Sequence, residues 1–181
     1  MDTQSTSGNL PGNHAAARQA VEAILAGVMD PEIPVLSVLD LGVVRDIILE
    51  PQQPGGYGVE VVITPTYSGC PAMDVIRLGI QLALREHGYA PVRVTQVLSP
   101  PWTTDWMSEE GRQKLRAFGI APPNPRQQVC NHQLFDHEEA VQCPHCQSFH
   151  THRISEFGST ACKALYQCDD CREPFDYFKC H

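Results

Sequence analysis

The stretch at residues 59–87, VEVVITPTYSGCPAMDVIRLGIQLALREH, contains a strand, a polar loop and a helix in succession. Residues 59–63 carry a β-branched residue at every second position, a pattern that predicts a strand with one buried face. In residues 71–87 the polar side chains recur every three to four positions, which leaves a wide apolar face and predicts an amphipathic helix. Gly88 follows where a glycine that caps the helix C-terminus belongs. This unit predicts an α/β fold.

The segments on either side complete a small domain. A hairpin joins the first two predicted strands, and the third strand is expected to run parallel to a neighbour because a helix precedes it. Prolines in the motif Asp30-Pro-Glu-Ile-Pro34 end the first helix. The order α-β-β-α-β-α predicts an α/β sandwich. The predicted helices are residues 14–28, 71–87 and 108–118, and the predicted strands are residues 43–49, 59–63 and 92–98.

Bulk composition limits the classes of function. The chain has 181 residues and a formal net charge of −8, from 21 acidic and 13 basic residues. An acidic chain is poorly suited to phosphate backbones, so we expect no nucleic-acid partner, including for a zinc ribbon. No apolar run reaches the roughly 18 residues of a membrane span, and the polar start does not resemble a signal peptide. A cytoplasmic protein without a membrane partner is predicted.

We predict four segments along the chain. Residues 1–13 form a disordered leader, residues 14–120 the α/β domain, residues 121–130 a Pro-rich linker, and residues 131–181 a small C-terminal module. From about residue 126 onward, the chain has few aliphatic residues. This region holds every cysteine except Cys70. Such a module cannot bury much core, so metal binding is expected to supply its folding energy.

Two CxxC motifs define that module, Cys143-Pro-His-Cys146 and Cys168-Asp-Asp-Cys171. Two such turns deliver four thiolates to one tetrahedral ion, as in zinc ribbons, and the closed site is typical of a structural zinc. Iron in the same tetrahedron would instead give a rubredoxin-like electron carrier. Gln147 and Arg172 follow the second cysteines where rubredoxin-type turns usually have glycine, which favours zinc.

Three further cysteines have no motif. Our preferred interpretation is that they are packed or free, and that the nearby histidines are exposed polar residues. The alternatives are that some of them replace a CxxC ligand or bind a second ion, or that CxxC thiols form a redox disulfide. The cysteines are Cys130, Cys162 and Cys180, and the histidines are His132, His145, His150, His152 and His181.

Cys70 is the candidate reactive residue of the α/β domain. It ends the loop Thr64-Pro-Thr-Tyr-Ser-Gly-Cys70, and Pro71 suits the first helical position. The helix dipole and free amides are therefore expected to lower the pKa of the thiol, for nucleophilic work or for a soft metal. The alternative is a tight turn with a half-buried small residue.

Three loop carboxylates accompany this cysteine in the prediction. Asp30, Glu32 and Asp40 either cap turns, which we prefer from the residues alone, or line the pocket of Cys70.

Several motifs together resemble known proteins. The segments Asp30-Pro-Glu-Ile-Pro34, Asp40-Leu-Gly42 and the Cys70 loop resemble the SufT-like metal–sulfur cluster biosynthesis family, which has a small α/β fold. Three more segments are similar to the PaaD (PaaJ) family, encoded with the multicomponent phenylacetyl-CoA epoxidase of phenylacetate degradation. These are SPPWTTDWM at residues 99–107, FGSTACKAL at residues 157–165 and CREPFDYFKC at residues 171–180.

The resemblance implies an accessory role beside an oxygenase that inserts one oxygen atom into the ring of phenylacetyl-CoA. It implies help in iron or iron–sulfur cluster maturation, with the flavin and 2Fe–2S reductase as the expected partner. Iron or a cluster would be held transiently at Cys70, with support from Asp30, Glu32, Asp40 and Thr64. The chain has no ExxH pair and no GxGxxG, so it is not expected to perform the oxygenation. The alternative is a structural or electron-transfer subunit that uses iron at the four cysteines.

Overall fold

A computed structural model describes residues 14–53, 55–123 and 141–179. The predicted leader, most of the predicted linker, and Cys130 and Cys180 lie outside these residues. None of the described helices has the length and apolar character needed to cross a membrane. The helices are α1 (His14–Leu25), α2 (Ala72–Glu86) and α3 (Glu109–Phe118), with a 3-10 turn at Thr104–Trp106; the strands are β1 (Val44–Pro51), β2 (Tyr57–Ile63), β3 (Val92–Gln96), β4 (Ile120–Ala121), β5 (Thr151–Ser155), β6 (Lys163–Cys168) and β7 (Pro174–Phe178).

The first sheet has the order β1-β2-β3 and confirms the predicted α/β domain. β1 pairs antiparallel with β2 as a hairpin, and β2 pairs parallel with β3 across the α2 crossover. Val59, Val61 and Ile63 are all buried, as their alternation predicts. Helices α1 and α2 pack against each other and against the sheet. The loop between β2 and α2 therefore starts from a rigid central strand.

The second sheet has the order β4-β7-β6-β5 and forms the C-terminal module. β5, β6 and β7 form an antiparallel meander, while β4 directly follows α3 and pairs parallel with β7. The module has a small aromatic core in which Tyr166 stacks on Phe175 and meets Tyr177 edge to face. Because β4 lies at the end of the predicted α/β segment, hydrogen bonding continues across the predicted boundary.

The module is also packed into the core of the α/β domain. Phe178 is 1% exposed and contacts the Trp102 ring edge to face, with centroids 6.0 Å apart. Trp102 in turn donates its indole N–H to the Leu41 carbonyl at 3.0 Å. Phe178 and Cys162 belong to the large core cluster rather than to the module's own. The C-terminal module is thus held in a fixed place on the α/β domain.

Gly42 packs against the segment from Trp102 to Trp106. The Trp102 end of this segment contacts Phe178 of the module. The φ of Gly42 is +71°, and an added Cβ would lie 2.5 Å from the carbonyl carbon of Trp106. The Trp106 ring is covered by the Arg45 guanidinium, 3.3 Å from the ring centroid. The Trp102 to Trp106 segment can therefore lie against this turn only because residue 42 has no side chain.

We predict that Gly42→Ala lowers the free energy of unfolding by about 2–5 kcal/mol, because a left-handed conformation and an overpacked contact act together. Gly88→Ala is the matched control, since Gly88 also has a positive φ, +86°, but nothing within 4 Å of an added Cβ. The control should lose only about 1–2 kcal/mol in urea unfolding. Equal losses in the two variants would show that the Trp106 contact does not matter.

Candidate functional site

The four CxxC cysteines lie close together at one end of the C-terminal module. The sulfurs of Cys143 and Cys171 are 3.7 Å apart, and those of Cys146 and Cys168 are 3.5 Å apart. All four sulfurs lie within 4.8 Å of one another. A tetrahedral ion with metal–sulfur bonds of about 2.3 Å places its sulfurs about 3.8 Å apart. The four cysteines therefore fit one metal ion, and this donor set suits zinc or iron.

The two CxxC turns have the same backbone geometry. Gln147 and Arg172 both have a φ of 65°, the left-handed conformation that favours glycine. Their amides donate to the carbonyls of Cys143 and Cys168, each at 2.9 Å. The turns thus have the usual shape without the usual glycine, and the residue type at these positions no longer favours zinc over iron.

Backbone amides also favour the thiolate at this end of the module. The amide of Cys171, followed by that of Asp170, lowers the pKa of Cys168 to about 7 against the opposing effect of burial. When bound, an ion at this site supplies four bonds that tie the turn before β5 to the turn between β6 and β7. The six described cysteines are all free thiols in the structure.

Replacing a metal ligand should disturb more than the module itself. In Cys168→Ser we expect loss of the bound metal, proteolysis of residues 141–179 and exposure of Trp102, because Phe178 no longer covers it. A Trp106→Phe background makes the emission report Trp102 alone, since the chain has two tryptophans. Asp169→Asn, next to the ligand, is the control. A red-shifted emission in the control as well, or an unchanged one in Cys168→Ser, would contradict the coupling.

Cys70 lies in the β2–α2 loop, one residue before the α2 N-cap, Pro71. Its amide donates to the Tyr67 carbonyl, and its own carbonyl accepts from the Met73 amide, both at 3.3 Å. The side chain is half-buried and packs against the large core cluster. Its predicted position at or next to the N-cap is confirmed, and the thiol remains partly accessible.

The predicted low pKa of Cys70 is wrong. Burial raises the pKa of this thiol, and the carboxylates of Glu32 and Asp30 raise it further. Hydrogen bonds from the Ala72 amide and the Tyr67 hydroxyl favour the thiolate but do not outweigh these effects. The sequence indicated the helix N-terminus correctly and offered Asp30 and Glu32 as residues that line the Cys70 pocket, but it did not indicate that burial and these charges outweigh the hydrogen bonds to the thiolate.

The predicted supporting residues form two groups, with Asp30, Glu32 and Thr64 in the first and Asp40 in the second. The Asp30 carboxylate accepts from the amides of Glu32 and Ile33, at 2.8 and 2.7 Å, and so holds the loop that carries Glu32. Burial raises the pKa of Asp30 despite these bonds and the nearby Lys163. The hydroxyl of Thr64 is buried with no hydrogen-bond partner among the described residues.

Asp40 takes part in a different set of hydrogen bonds. Its carboxylate accepts from the Ser37 amide and hydroxyl, from the Ser108 hydroxyl and from Lys114 at 2.8 Å. Burial tends to raise the pKa of Asp40, but these bonds together lower it below its ordinary value. Ser108 is the N-cap of α3 and accepts from the Gly111 amide. Asp40 thereby joins its loop to α3.

One residue beside Glu32 was not predicted to lie there. Cys162, just before β6, is buried, and its sulfur lies 3.6 Å from Glu32 Oε2 and 3.0 Å from the Thr160 hydroxyl. Burial raises the pKa of Cys162 to about 11, with Glu32 and Asp30 adding to the shift against Thr160 and Lys163. Residues 32 and 162 are 130 positions apart, so spacing carries no signal of this contact.

The pKa shift of Cys70 gives a test of its surroundings. We expect its alkylation by iodoacetamide, followed by peptide mass spectrometry, to keep accelerating above pH 9, since its pKa lies above the ordinary value. Glu32→Gln should move the profile to lower pH because it removes a charge that raises this pKa. Ser68→Ala, an exposed change in the same loop, should leave it in place. A rate that levels off near pH 7 would contradict the described environment.

Two family models match the chain, one on each part. Residues 18–98 match the iron-sulfur cluster assembly protein family, and residues 127–179 match the PaaD zinc beta ribbon domain. The first range contains Asp30, Glu32 and Cys70, and the second contains the four clustered cysteines and Cys162.

Two solved structures are similar to part of the chain. A conserved hypothetical protein from Thermotoga maritima is 33% identical, with a TM-score of 0.44, over 54% of this chain and 92% of that one. A Mycobacterium tuberculosis protein associated with iron–sulfur complex assembly and repair is 31% identical, with a TM-score of 0.36, over 61% of this chain and 96% of that one.

A curated relative spans both parts of the chain. It is a putative subunit of the 1,2-phenylacetyl-CoA epoxidase of Escherichia coli K12, 50% identical over 159 residues, which are 87% of this chain and 90% of the relative. The resemblance predicted from the motifs is thereby confirmed. With half of its residues identical over nearly all of that relative, and with the PaaD zinc ribbon at its C-terminal end, the chain belongs to the PaaD family of phenylacetyl-CoA epoxidase subunits.

Proposed function

We propose that this protein is an accessory component of the phenylacetyl-CoA 1,2-epoxidase system that loads iron or an iron–sulfur cluster into the flavin and 2Fe–2S reductase, in the cytoplasm. The name of the curated relative supports a place in the epoxidase system. The family model over residues 18–98 supports a role in cluster assembly. The observation that carries the proposal is the half-buried Cys70 beside Asp30, Glu32 and Tyr67 within that matched range.

The chemistry of this cluster suits an iron cargo. Thiolate sulfur and carboxylate oxygen are both iron ligands, and a thiol that remains partly accessible can exchange its cargo with another protein. The four-cysteine group, in contrast, uses all its donors on one ion and leaves no open position. We therefore assign cargo handling to the Cys70 loop and a structural role to the four cysteines.

A cell-based assay tests the proposal. In a strain whose protein carries Cys70→Ala, the purified reductase should contain several-fold less iron and sulfide than the reductase from the wild-type strain, and it should show a weaker cluster absorbance. Ser68→Ala is the matched control in the same exposed loop. A fully loaded reductase in the Cys70→Ala strain would refute the role in loading.

Metal counting separates this proposal from electron transfer. Zinc at the four cysteines, with no visible absorbance, is the expected result for the purified protein. Iron at that site with a reversible visible spectrum would favour an electron-transfer subunit instead, because the two CxxC turns have the geometry that such a site needs.

A further inference from the structure

We infer that the C-terminal module supplies a second thiol to the cargo site, and that Cys70, Cys162 and Glu32 bind the iron together as a mixed thiolate and carboxylate ligand set. This inference rests on the proposed function and adds to it the ligands that hold the cargo. It assigns a role to a cysteine that lies outside both CxxC motifs.

The position of Cys162 is the first support. This residue belongs to the module by sequence, but its side chain is buried in the α/β core, 3.6 Å from Glu32 Oε2. A cysteine that only packs would meet apolar neighbours, whereas this sulfur faces a carboxylate oxygen and the Thr160 hydroxyl. The Cys162 sulfur and the Glu32 carboxylate oxygen are therefore already close enough to bind the same ion.

Tyr67 connects this pair to Cys70. The Tyr67 hydroxyl hydrogen-bonds with Cys70, and the charges of Glu32 and Cys162 also act on this phenol: burial raises the pKa of Tyr67, and these three groups raise it further. The phenol also donates a hydrogen bond that favours the Cys70 thiolate. Tyr67 is thus bonded to one thiol and acted on by the charges of the other thiol and the carboxylate, and Cys70 packs against the same core cluster that contains Cys162.

The arrangement of the ligand atoms suits a transient cargo. Among the described residues, only the four-cysteine group has all its donor atoms within 4.8 Å of one another. The set of Cys70, Cys162 and Glu32 is more open, so a bound ion must draw the side chains together, and binding releases protons from the thiols. The Thr64 hydroxyl, buried at the start of the same loop, has no hydrogen-bond partner in the part of the chain that the structure describes.

The module holds Cys162 in register. The amide of Lys179 donates to the Cys162 carbonyl at 3.0 Å, and Phe178 beside it is fixed on Trp102. Lys163, next to Cys162, is 4% exposed and lies 3.6 Å from Asp176 within the module. The C-terminal strand of the module thus positions a ligand of the open site.

Metal titration of the purified full-length protein, with the four-cysteine site already filled, tests the inference. Anaerobic titration with Fe²⁺, and with Co²⁺ as a spectroscopic substitute, should show one further ion bound by the wild type. Cys162→Ser and Cys70→Ser should each weaken it at least about tenfold and remove about half of the thiolate-to-cobalt absorption, one of two thiolates. Glu32→Gln should weaken binding but keep that absorption.

Ala161→Ser, an exposed change beside Cys162, is the matched control and should bind like the wild type. Wild-type affinity and full absorption in Cys162→Ser, with both reduced in Cys70→Ser, would overturn the shared site but leave the proposed function standing. Wild-type binding in both serine variants would overturn both. Loading of the reductase in the cell distinguishes the two failures. If only the shared site fails, the reductase from the Cys70→Ala strain is still underloaded; if the proposed function fails, that reductase is fully loaded.

A second measurement needs no variant, in case Cys162→Ser loses the module's metal. In the wild-type protein, Fe²⁺ should protect both Cys70 and Cys162 from alkylation, as read by peptide mass spectrometry. Protection of Cys70 alone would overturn the shared site.

Discussion

The packing of Phe178 against Trp102 is the contact on which the arrangement of this protein depends. Trp102 is tied to the Leu41 carbonyl, and Phe178 comes from the last strand of the module, so one aromatic pair joins the two parts of the chain. The parallel pairing of β4 with β7 adds backbone hydrogen bonds to the same junction. Together they hold the module against the α/β domain, where Cys162 of the module contacts Glu32.

Much of the fold could be predicted because its signals are local. Period-two alternation marks β2, a wide apolar face marks α2, and glycine marks the end of α3 at Gly119. The four-cysteine cluster is equally readable, since each CxxC turn sets two sulfurs by itself. Such features depend on residues within one turn or one strand of each other.

The features that could not be predicted depend on burial and on distant residues. The pKa of Cys70 follows from desolvation and two carboxylates rather than from the helix N-terminus, and no local pattern contains that balance. The contact between Glu32 and Cys162 joins a residue of the α/β domain with a residue of the C-terminal module. Asp40 illustrates the same limit, because its neighbours Ser108 and Lys114 lie 68 and 74 positions further along the chain.

The module also changes the electrostatic surroundings of a buried carboxylate in the α/β domain. Asp30 is 6% exposed, and burial raises its pKa against the opposing hydrogen bonds from the Ile33 and Glu32 amides. The charge of Lys163, from the module, adds a smaller effect that lowers this pKa, and Lys163 itself lies 3.6 Å from Asp176. The module therefore contributes both a charge that acts on Asp30 and a sulfur beside Glu32, so the surroundings of these two carboxylates depend on both parts of the chain.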